Sequence, residues 1–136
     1  MHKLSRKLSN YKAVIVEDLK IKNMTKSAKG NIETPSKGVD AKSGLNRSIL
    51  MQAWGMFFRM LEYKLSETHG KLIKVDPRNT SRQCPECKHT LKQNRESQSL
   101  FKCRACGYTE NADYVASLNI MARGIHDLIM PVVKSA

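Results

Sequence analysis

The feature that most limits how this chain can fold is the placing of its four cysteines. All lie in one window, as Cys84-Pro85-Glu86-Cys87, then fifteen residues, then Cys103-Arg104-Ala105-Cys106. Two C-x-x-C knuckles at this separation match a four-cysteine zinc site, each knuckle aiming two sulfurs inward to complete a tetrahedron. Gly107 follows the last cysteine, where a permissive backbone helps the turn close. Lys88, Lys102 and Arg104 offset the charge of the thiolates. The competing readings are two disulfides or a redox pair. Disulfides are disfavoured in a chain without a secretion signal, and a thioredoxin-like pair needs one C-x-x-C beside a β-α-β pattern. Four thiolates leave no open position for water, so the expected role is structural. Residues 80–110 are too few to fold on apolar burial, and zinc binding on the order of 10–16 kcal/mol can supply the deficit.

Around this window the chain alternates helix and strand. Leu4, Leu8 and Tyr11 recur at helical spacing. Val14-Ile15-Val16 reads as a short buried strand that ends in Glu17-Asp18. Residues 20–44 are rich in Lys, Asn, Ser and Gly, with Pro35 among them, and read as a basic loop. From Leu45 a helical face follows through Ile49, Ala53, Met56, Phe57, Met60, Leu61 and Leu65, with Gly70 as its C-terminal cap. Leu72, Ile73 and Val75 suggest a second strand. After the cysteines, Asn111 caps a helix carrying Val115, Leu118, Ile120, Met121 and Ile125, which Pro131 stops. The order points to a mixed α/β layer fold with the cysteine module inserted between a strand and a helix. No internal repeat is visible.

The chain has 24 basic and 12 acidic residues among 136, a net charge of +12. That balance favours a polyanion, most often nucleic acid. Hydrophobic residues make up 40%, enough to bury a core, so global disorder is excluded. No apolar run spans a bilayer and no secretory signal is visible, so a cytoplasmic protein without a membrane partner is expected, nucleoid-associated if the source is prokaryotic. From Lys71 to Arg104 there are nine basic and three acidic residues. Arg78, Arg82, Lys88, Lys92, Arg95, Lys102 and Arg104 are the candidate nucleic-acid contacts. Arg95, Lys102 and Phe101 are placed to meet a phosphate or a base, with a plain solvated face as the other reading.

With few acidic residues, their positions carry information. Glu17 follows a strand and can project into a cleft; Asp113 sits in the first turn of the last helix. Carboxylates converging from separate elements are what Mg²⁺- or Mn²⁺-dependent nucleases use. Equally, Glu17 can be a solvated strand end and Asp113 a first-turn acid favoured by the helix dipole. Asp18, Asp76, Glu110 and Asp127 are further candidates that spacing cannot separate.

A resemblance separates them. Val16-Glu17-Asp18-Leu19 with Lys20-Ile21-Lys22-Asn23-Met24 resembles the second RuvC motif of TnpB/OrfB proteins, the insertion-sequence-associated proteins long described as transposases. Asn46-Arg47-Ser48-Ile49 through Ala53-Trp54-Gly55, and Leu61-Glu62-Tyr63-Lys64, resemble their long helix. Thr80-Ser81-Arg82-Gln83-Cys84-Pro85-Glu86-Cys87 and Phe101-Lys102-Cys103-Arg104-Ala105-Cys106-Gly107 resemble their zinc ribbon, and Asn111-Ala112-Asp113 their third RuvC motif. The resemblance implies a partial RNase H-like (RuvC) core over residues 1–79, a zinc ribbon over 80–110 and a C-terminal RuvC helix over 111–136. It implies an RNA-guided DNA endonuclease related to type V CRISPR effectors, with DNA and a guide RNA as partners. Glu17 and Asp113 become two of three carboxylates for Mg²⁺ or Mn²⁺, beside a structural zinc on Cys84, Cys87, Cys103 and Cys106.

Three departures qualify this. The family's first catalytic aspartate, in a Gly-Ile-Asp-Leu-Gly-type strand, has no counterpart here. Met51 stands where a polar residue is common, and Val115 where an asparagine usually follows. The chain therefore corresponds to the C-terminal part of the family, with the Val14–Val16 strand left at an unpaired edge. Cleavage by these residues alone is not expected; a full-length nuclease or a missing N-terminal half is the partner that would complete it. A stand-alone zinc-ribbon nucleic-acid-binding module, or a decayed remnant, are the alternatives.

Overall fold

Phe57, Leu61 and Leu65 recur every four residues, one side of a helix, and all three are buried. They are the core of helix α4 (Trp54–Glu67) in a computed structural model that describes residues 1–27 and 38–129. In chain order the other elements are α1 (His2–Leu8), β1 (Ala13–Glu17), α2 (Ile21–Met24), α3 (Val39–Met51), β2 (Lys71–Val75), β3 (Leu100–Lys102), β4 (Thr109–Asn111) and α5 (Ala112–Ile129). A 3₁₀ turn covers Lys92–Asn94.

The chain divides into two compact units. The first comprises 1–14 and 19–72, the second 15–18 and 73–136. In the first unit Leu8, Val14, Phe58 and Leu72 pack on the Phe57–Leu61–Leu65 cluster. The long helix expected from Leu45 is two helices. Ala53 between them adopts φ 51°, a left-handed conformation that costs an alanine about 1–2 kcal/mol. α3 buries none of its side chains, and Leu45, Leu50 and Met51 are exposed. No shared apolar face therefore holds the two helices in line. The basic loop is shorter than expected, since α2 and the start of α3 fall within it; Pro35 lies outside the described residues. Asn46 Nδ2 donates to the carbonyls of Thr25 (3.0 Å) and Lys26 (3.3 Å), fixing the end of α2.

α1 is a helix as expected, but a different face packs. Leu4 and Tyr11 are exposed, whereas Ser5 and Ser9 are fully buried. The cause lies 59 residues away, where Lys64 of α4 donates its ammonium to Ser5 Oγ (2.7 Å) and to the His2 carbonyl (2.9 Å). Thr68 Oγ1 donates to the Ser9 carbonyl at 2.7 Å, so hydroxyls, not leucines, seat α1 on α4.

Gly70 was expected as a positive-φ cap; His69 holds that conformation instead, with φ 56°. Gly70 is required for space, because a Cβ there would stand 2.7 Å from Leu65 Cδ2 and 3.0 Å from the Tyr11 carbonyl.

β1 and β2 form a two-stranded sheet, so the strand expected at an unpaired edge has a partner on one side. Lys71 N–H donates to Lys12 O (3.0 Å) and Asp18 N–H to Val75 O (2.8 Å). β1 is half-buried along its whole length rather than fully buried.

In the second unit β3 and β4 pair antiparallel, with Phe101 opposite Glu110. The core joins the ribbon to α5: Cys84, Phe101, Cys103, Ala112 and Val115 are buried together, with Tyr108 against them. Asn111 caps α5 as expected, its Oδ1 accepting the N–H groups of Asp113 (2.9 Å) and Tyr114 (3.2 Å). The buried side of α5 is Ala112, Val115, Asn119 and Gly124, while Met121 and Ile125 are exposed. Pro131 lies outside the described residues.

Gly124 faces Ile15 of β1. A Cβ would stand 2.6 Å from Ile15 Cδ1 and 2.7 Å from Cγ1, and a β-branched side chain has little rotamer freedom to retreat. Helix propensity alone would favour Gly124→Ala by about 1 kcal/mol. The clash reverses the sign, and a net loss of about 1–2 kcal/mol is expected in urea unfolding. Adding Ile15→Ala should recover part of that loss; strictly additive losses would show that the two residues do not touch.

Candidate functional site

The two knuckles repeat one backbone pattern. Cys84 N–H donates to His89 O (2.9 Å) while Lys88 N–H donates back to Cys84 O (3.1 Å). Cys103 N–H donates to Tyr108 O (2.8 Å) while Gly107 N–H donates back to Cys103 O (3.0 Å). Both turns need a left-handed residue four positions after the first cysteine. Gly107 (φ 77°) supplies it in one and Lys88 (φ 62°) in the other. The lysine was readable from the sequence only as a charge.

These turns bring four sulfurs within 4.8 Å of one another. Cys84 and Cys106 Sγ are 3.6 Å apart, as are Cys87 and Cys103 Sγ. A disulfide would need about 2.05 Å. Metal–sulfur bonds of about 2.3 Å in a tetrahedron place neighbouring sulfurs about 3.8 Å apart. The four cysteines are therefore positioned to bind a metal, and their soft, all-sulfur donor set with no open corner suits a structural cation. Protons are shared unequally among them. The His89 N–H pulls the Cys87 thiol down, but burial and contact with the sulfurs of Cys106, Cys103 and Cys84 outweigh it and push it up to about 12. Burial raises Cys103, yet the N–H groups of Cys106 and Ala105 and the neighbouring sulfurs bring it down to about 6.

Asn94, which sequence reasoning missed, ties the two knuckles together. Fully buried, it donates to the carbonyls of Arg82 (3.0 Å) and His89 (3.2 Å) and accepts from Arg104 N–H (3.0 Å). Nothing in its local sequence marks it, because its partners come from both sides of the ribbon.

Glu17 and Asp113 both lie in the second unit. Glu17 is half-buried at the end of β1, where its Oε1 accepts from Thr80 Oγ1 at 2.6 Å. Thr80 is buried, and its carbonyl accepts from Asn119 Nδ2 at 2.8 Å. Asp113 is open to solvent on the first turn of α5, and Arg95 Nη2 reaches its Oδ1 at 3.2 Å with 81% of the Asp113 side chain exposed. The other carboxylates have local tasks. Asp76 Oδ1 accepts from Arg78 N–H, Glu110 Oε1 from Asn111 N–H, and Asp127 lies 3.5 Å from His126 Nδ1. Among the described residues, the cysteines are the one group of three or more potential ligands that converge.

The basic candidates separate by environment. Arg82, Lys92 and Lys102 are exposed. Arg104 pairs with Glu96 at 2.8 Å. Arg95 also donates to Ser97 O (3.3 Å) and Gln98 O (2.8 Å), so its guanidinium shapes the 95–98 turn as well as meeting Asp113. Lys92, Arg95 and Arg104 line one open groove of about 610 Å³. Arg78 and Lys88 line another of about 580 Å³, with Arg123 and His126. Phe101 faces neither phosphate nor base; it is fully buried between the ribbon and α5. No helix among the described residues is long and apolar enough to cross a membrane.

Comparison with known proteins agrees with this arrangement. The sequence model of the Cas12f1-like TNB domain matches residues 54–120. The chain is 48% identical over 125 residues to the putative RNA-guided DNA endonuclease InsQ of Escherichia coli K12, covering 91% of this chain and 31% of that protein. It is 33% identical over 86 residues to the TnpB-like protein MJ0012 of Methanocaldococcus jannaschii, covering 63% of this chain and 38% of the relative. Among solved structures, the mini-RNA-guided endonuclease CRISPR-Cas_phi3 superposes with a TM-score of 0.55 at 25% identity, over 91% of this chain and 19% of that one. The ribbon, set between β2 and a helix that opens on Asn-Ala-Asp, lies within the residues that the Cas12f1-like TNB model matches. The chain is similar to the C-terminal part of TnpB-like proteins, and it spans about a third of the length of InsQ and of MJ0012.

Proposed function

We propose that this chain is the C-terminal, nucleic-acid-binding portion of an RNA-guided DNA endonuclease of the TnpB type. The observation that carries the reading is that both motif carboxylates are held from the ribbon side of one unit, Glu17 by Thr80 and Asp113 by Arg95. In this reading residues 1–79 are part of an RNase H-like core, 80–110 a zinc ribbon, and 111–136 the helix of the third RuvC motif. Zinc sits on Cys84, Cys87, Cys103 and Cys106 as a structural ion. Glu17 and Asp113 would be two of the carboxylates that hold Mg²⁺ or Mn²⁺ in a completed site, where such an ion would supply water activation and charge stabilisation. Thr80 orients the Glu17 carboxylate through its hydroxyl. Arg95 keeps Asp113 turned toward the ribbon until a cation or a phosphate competes for it. Arg78, Arg82, Lys88, Lys92 and Lys102 take backbone phosphates of DNA or of a guide RNA.

These 136 residues do not cut by themselves in this reading, because two-ion chemistry needs carboxylates converging on ions about 4 Å apart. Among these residues Glu17 and Asp113 are only two of the three carboxylates that the resemblance implies. The zinc-loaded chain is therefore expected to bind DNA and RNA oligonucleotides with an affinity that falls steeply as salt rises, and to leave them intact in Mg²⁺. Filter binding across a salt series checks the first point, and a flat salt dependence would reject phosphate contacts. A nuclease assay checks the second; cleavage that vanishes in Glu17→Ala would overturn it.

A further inference from the structure

The basic residues singled out from the sequence all lie between 78 and 104, yet another basic concentration lies in the first unit. α1 and α4 enclose an open groove of about 660 Å³ whose lining includes His2, Lys3, Arg6, Lys7, Lys64 and Tyr63 and contains no acidic side chain. Arg6 is partly occupied by Glu67 (3.0 Å), on the flank of the groove. Lys3 and Lys7 have no such partner among the described residues, and stand one turn apart on the same side of α1.

Lys64 makes this more than a patch of surface lysines. It is 3% exposed, and its contacts are neutral: the His2 carbonyl, Ser5 Oγ and, 5.8 Å from its ammonium, the ring of Tyr63. A buried cation normally sits against a carboxylate, because neutral acceptors replace its lost hydration only in part. Here the ammonium has no carboxylate bonded to it among the described residues. A phosphate in the groove would supply the missing anion, and Tyr63, 48% exposed at the same edge, offers a face on which a base can stack.

We infer that the α1–α4 groove is a second nucleic-acid site, one that grips the phosphodiester backbone of a single strand through Lys3, Lys7 and Lys64 while Tyr63 stacks a base. The strand is RNA or DNA, which share this chemistry, and the site is separate from the ribbon contacts of the proposed function.

The test uses the zinc-loaded full chain and fluorescent 20-nucleotide single strands of RNA and of DNA, titrated between 50 and 200 mM salt. Three variants are compared with the parent. Lys3→Ala with Lys7→Ala alters exposed positions on a helix that tolerates alanine. Tyr63→Ala removes the stacking face. Lys92→Ala with Lys102→Ala reports the ribbon contacts. The α1 pair is expected to weaken binding at least fivefold and to lower the salt slope by about 1.4, two phosphates' worth on a single strand. Tyr63→Ala should weaken binding about fivefold or more with an unchanged slope. The strand type that loses more affinity in these variants identifies the natural ligand. Parental affinity and slope in the α1 pair, beside a loss in the ribbon pair, overturn this site and leave the proposed function standing. A loss in the α1 pair with no loss in the ribbon pair supports this site and removes the ribbon contacts from the proposed function. Lys64→Met gives a second reading. It deletes the donor to the His2 carbonyl and Ser5 Oγ, so the melting temperature should fall, and binding should weaken at temperatures where the variant is still folded; a lower melting temperature with parental affinity would mark Lys64 as purely structural and overturn its assigned role.

Discussion

Stripping the metal with a chelator, or replacing Cys84 by serine, should unfold the ribbon and fray the first turns of α5 while α4 and its packing partners stay folded. The second unit's cluster consists of Cys84, Phe101, Cys103, Ala112 and Val115, so two of its five buried members belong to the four cysteines positioned to bind a metal. Without the cation the four thiols repel as thiolates or stay protonated, and Phe101 loses the knuckles that close over it. Metal binding in small zinc modules is worth about 10–16 kcal/mol, more than a cluster of this size can supply by burial. The first unit has its own cluster at Phe57, Leu61 and Leu65, with no ribbon residue in it. Trp54, the single tryptophan, belongs to that unit and contacts Phe57 and Phe58. Its emission should hold steady in chelator while far-ultraviolet ellipticity falls and zinc appears in solution. Release should also grow as pH falls, because the thiols bind the metal only without their protons. Full ellipticity in excess chelator would mean that the ribbon stands on packing alone.

What the sequence disclosed and what it hid divide along a physical line. Features set by local chemistry were legible: the cysteine spacing, the Asn111 cap, the β-branched strand at Val14–Val16 and the start of α5. Features set by partners far along the chain were not. Ser5 and Ser9 are buried because Lys64 of α4 bonds to the Ser5 hydroxyl and Thr68, just past that helix, to the Ser9 carbonyl, and a hydrophobicity pattern points to Leu4 and Tyr11 instead. Asn94 and Asn119 look like surface amides until the carbonyls they satisfy are seen. Ala53 breaks a pattern that continues through it, since apolar spacing does not record which of two helices has a face to bury. One miss had an available signal. Lys88 stands at the same offset from Cys84 as Gly107 does from Cys103, so a second left-handed turn could have been read from the repeat. At the candidate site, the motif match located Glu17 and Asp113, but their partners Thr80 and Arg95 emerged only from the fold.

Asn119→Ala should be strongly destabilising. Asn119 is 4% exposed, and its Nδ2 donates at 2.8 Å to the carbonyls of both Thr80 and Gln83. Alanine leaves both acceptors without that donor inside the protein, at about 1–3 kcal/mol each, so a total of about 2–6 kcal/mol is expected in urea unfolding of the zinc-loaded chain. Asn119→Asp should be at least as harmful, since it sets a carboxylate against two carbonyls. The position also bears on both centres. Gln83 directly precedes Cys84, so a loosened carbonyl should speed transfer of zinc to a colorimetric chelator, by about tenfold for each 1.4 kcal/mol lost from the closed state. Thr80 holds Glu17, so the same change frees the carboxylate end of β1. Thr80→Val separates the two effects. It deletes the hydroxyl donor to Glu17 but keeps the carbonyl that Asn119 binds, and should leave zinc transfer near the parental rate. If Asn119→Ala released zinc no faster than Thr80→Val, the amide would be a support for α5 alone, and the link from that helix to the Cys84 knuckle would be broken at Gln83.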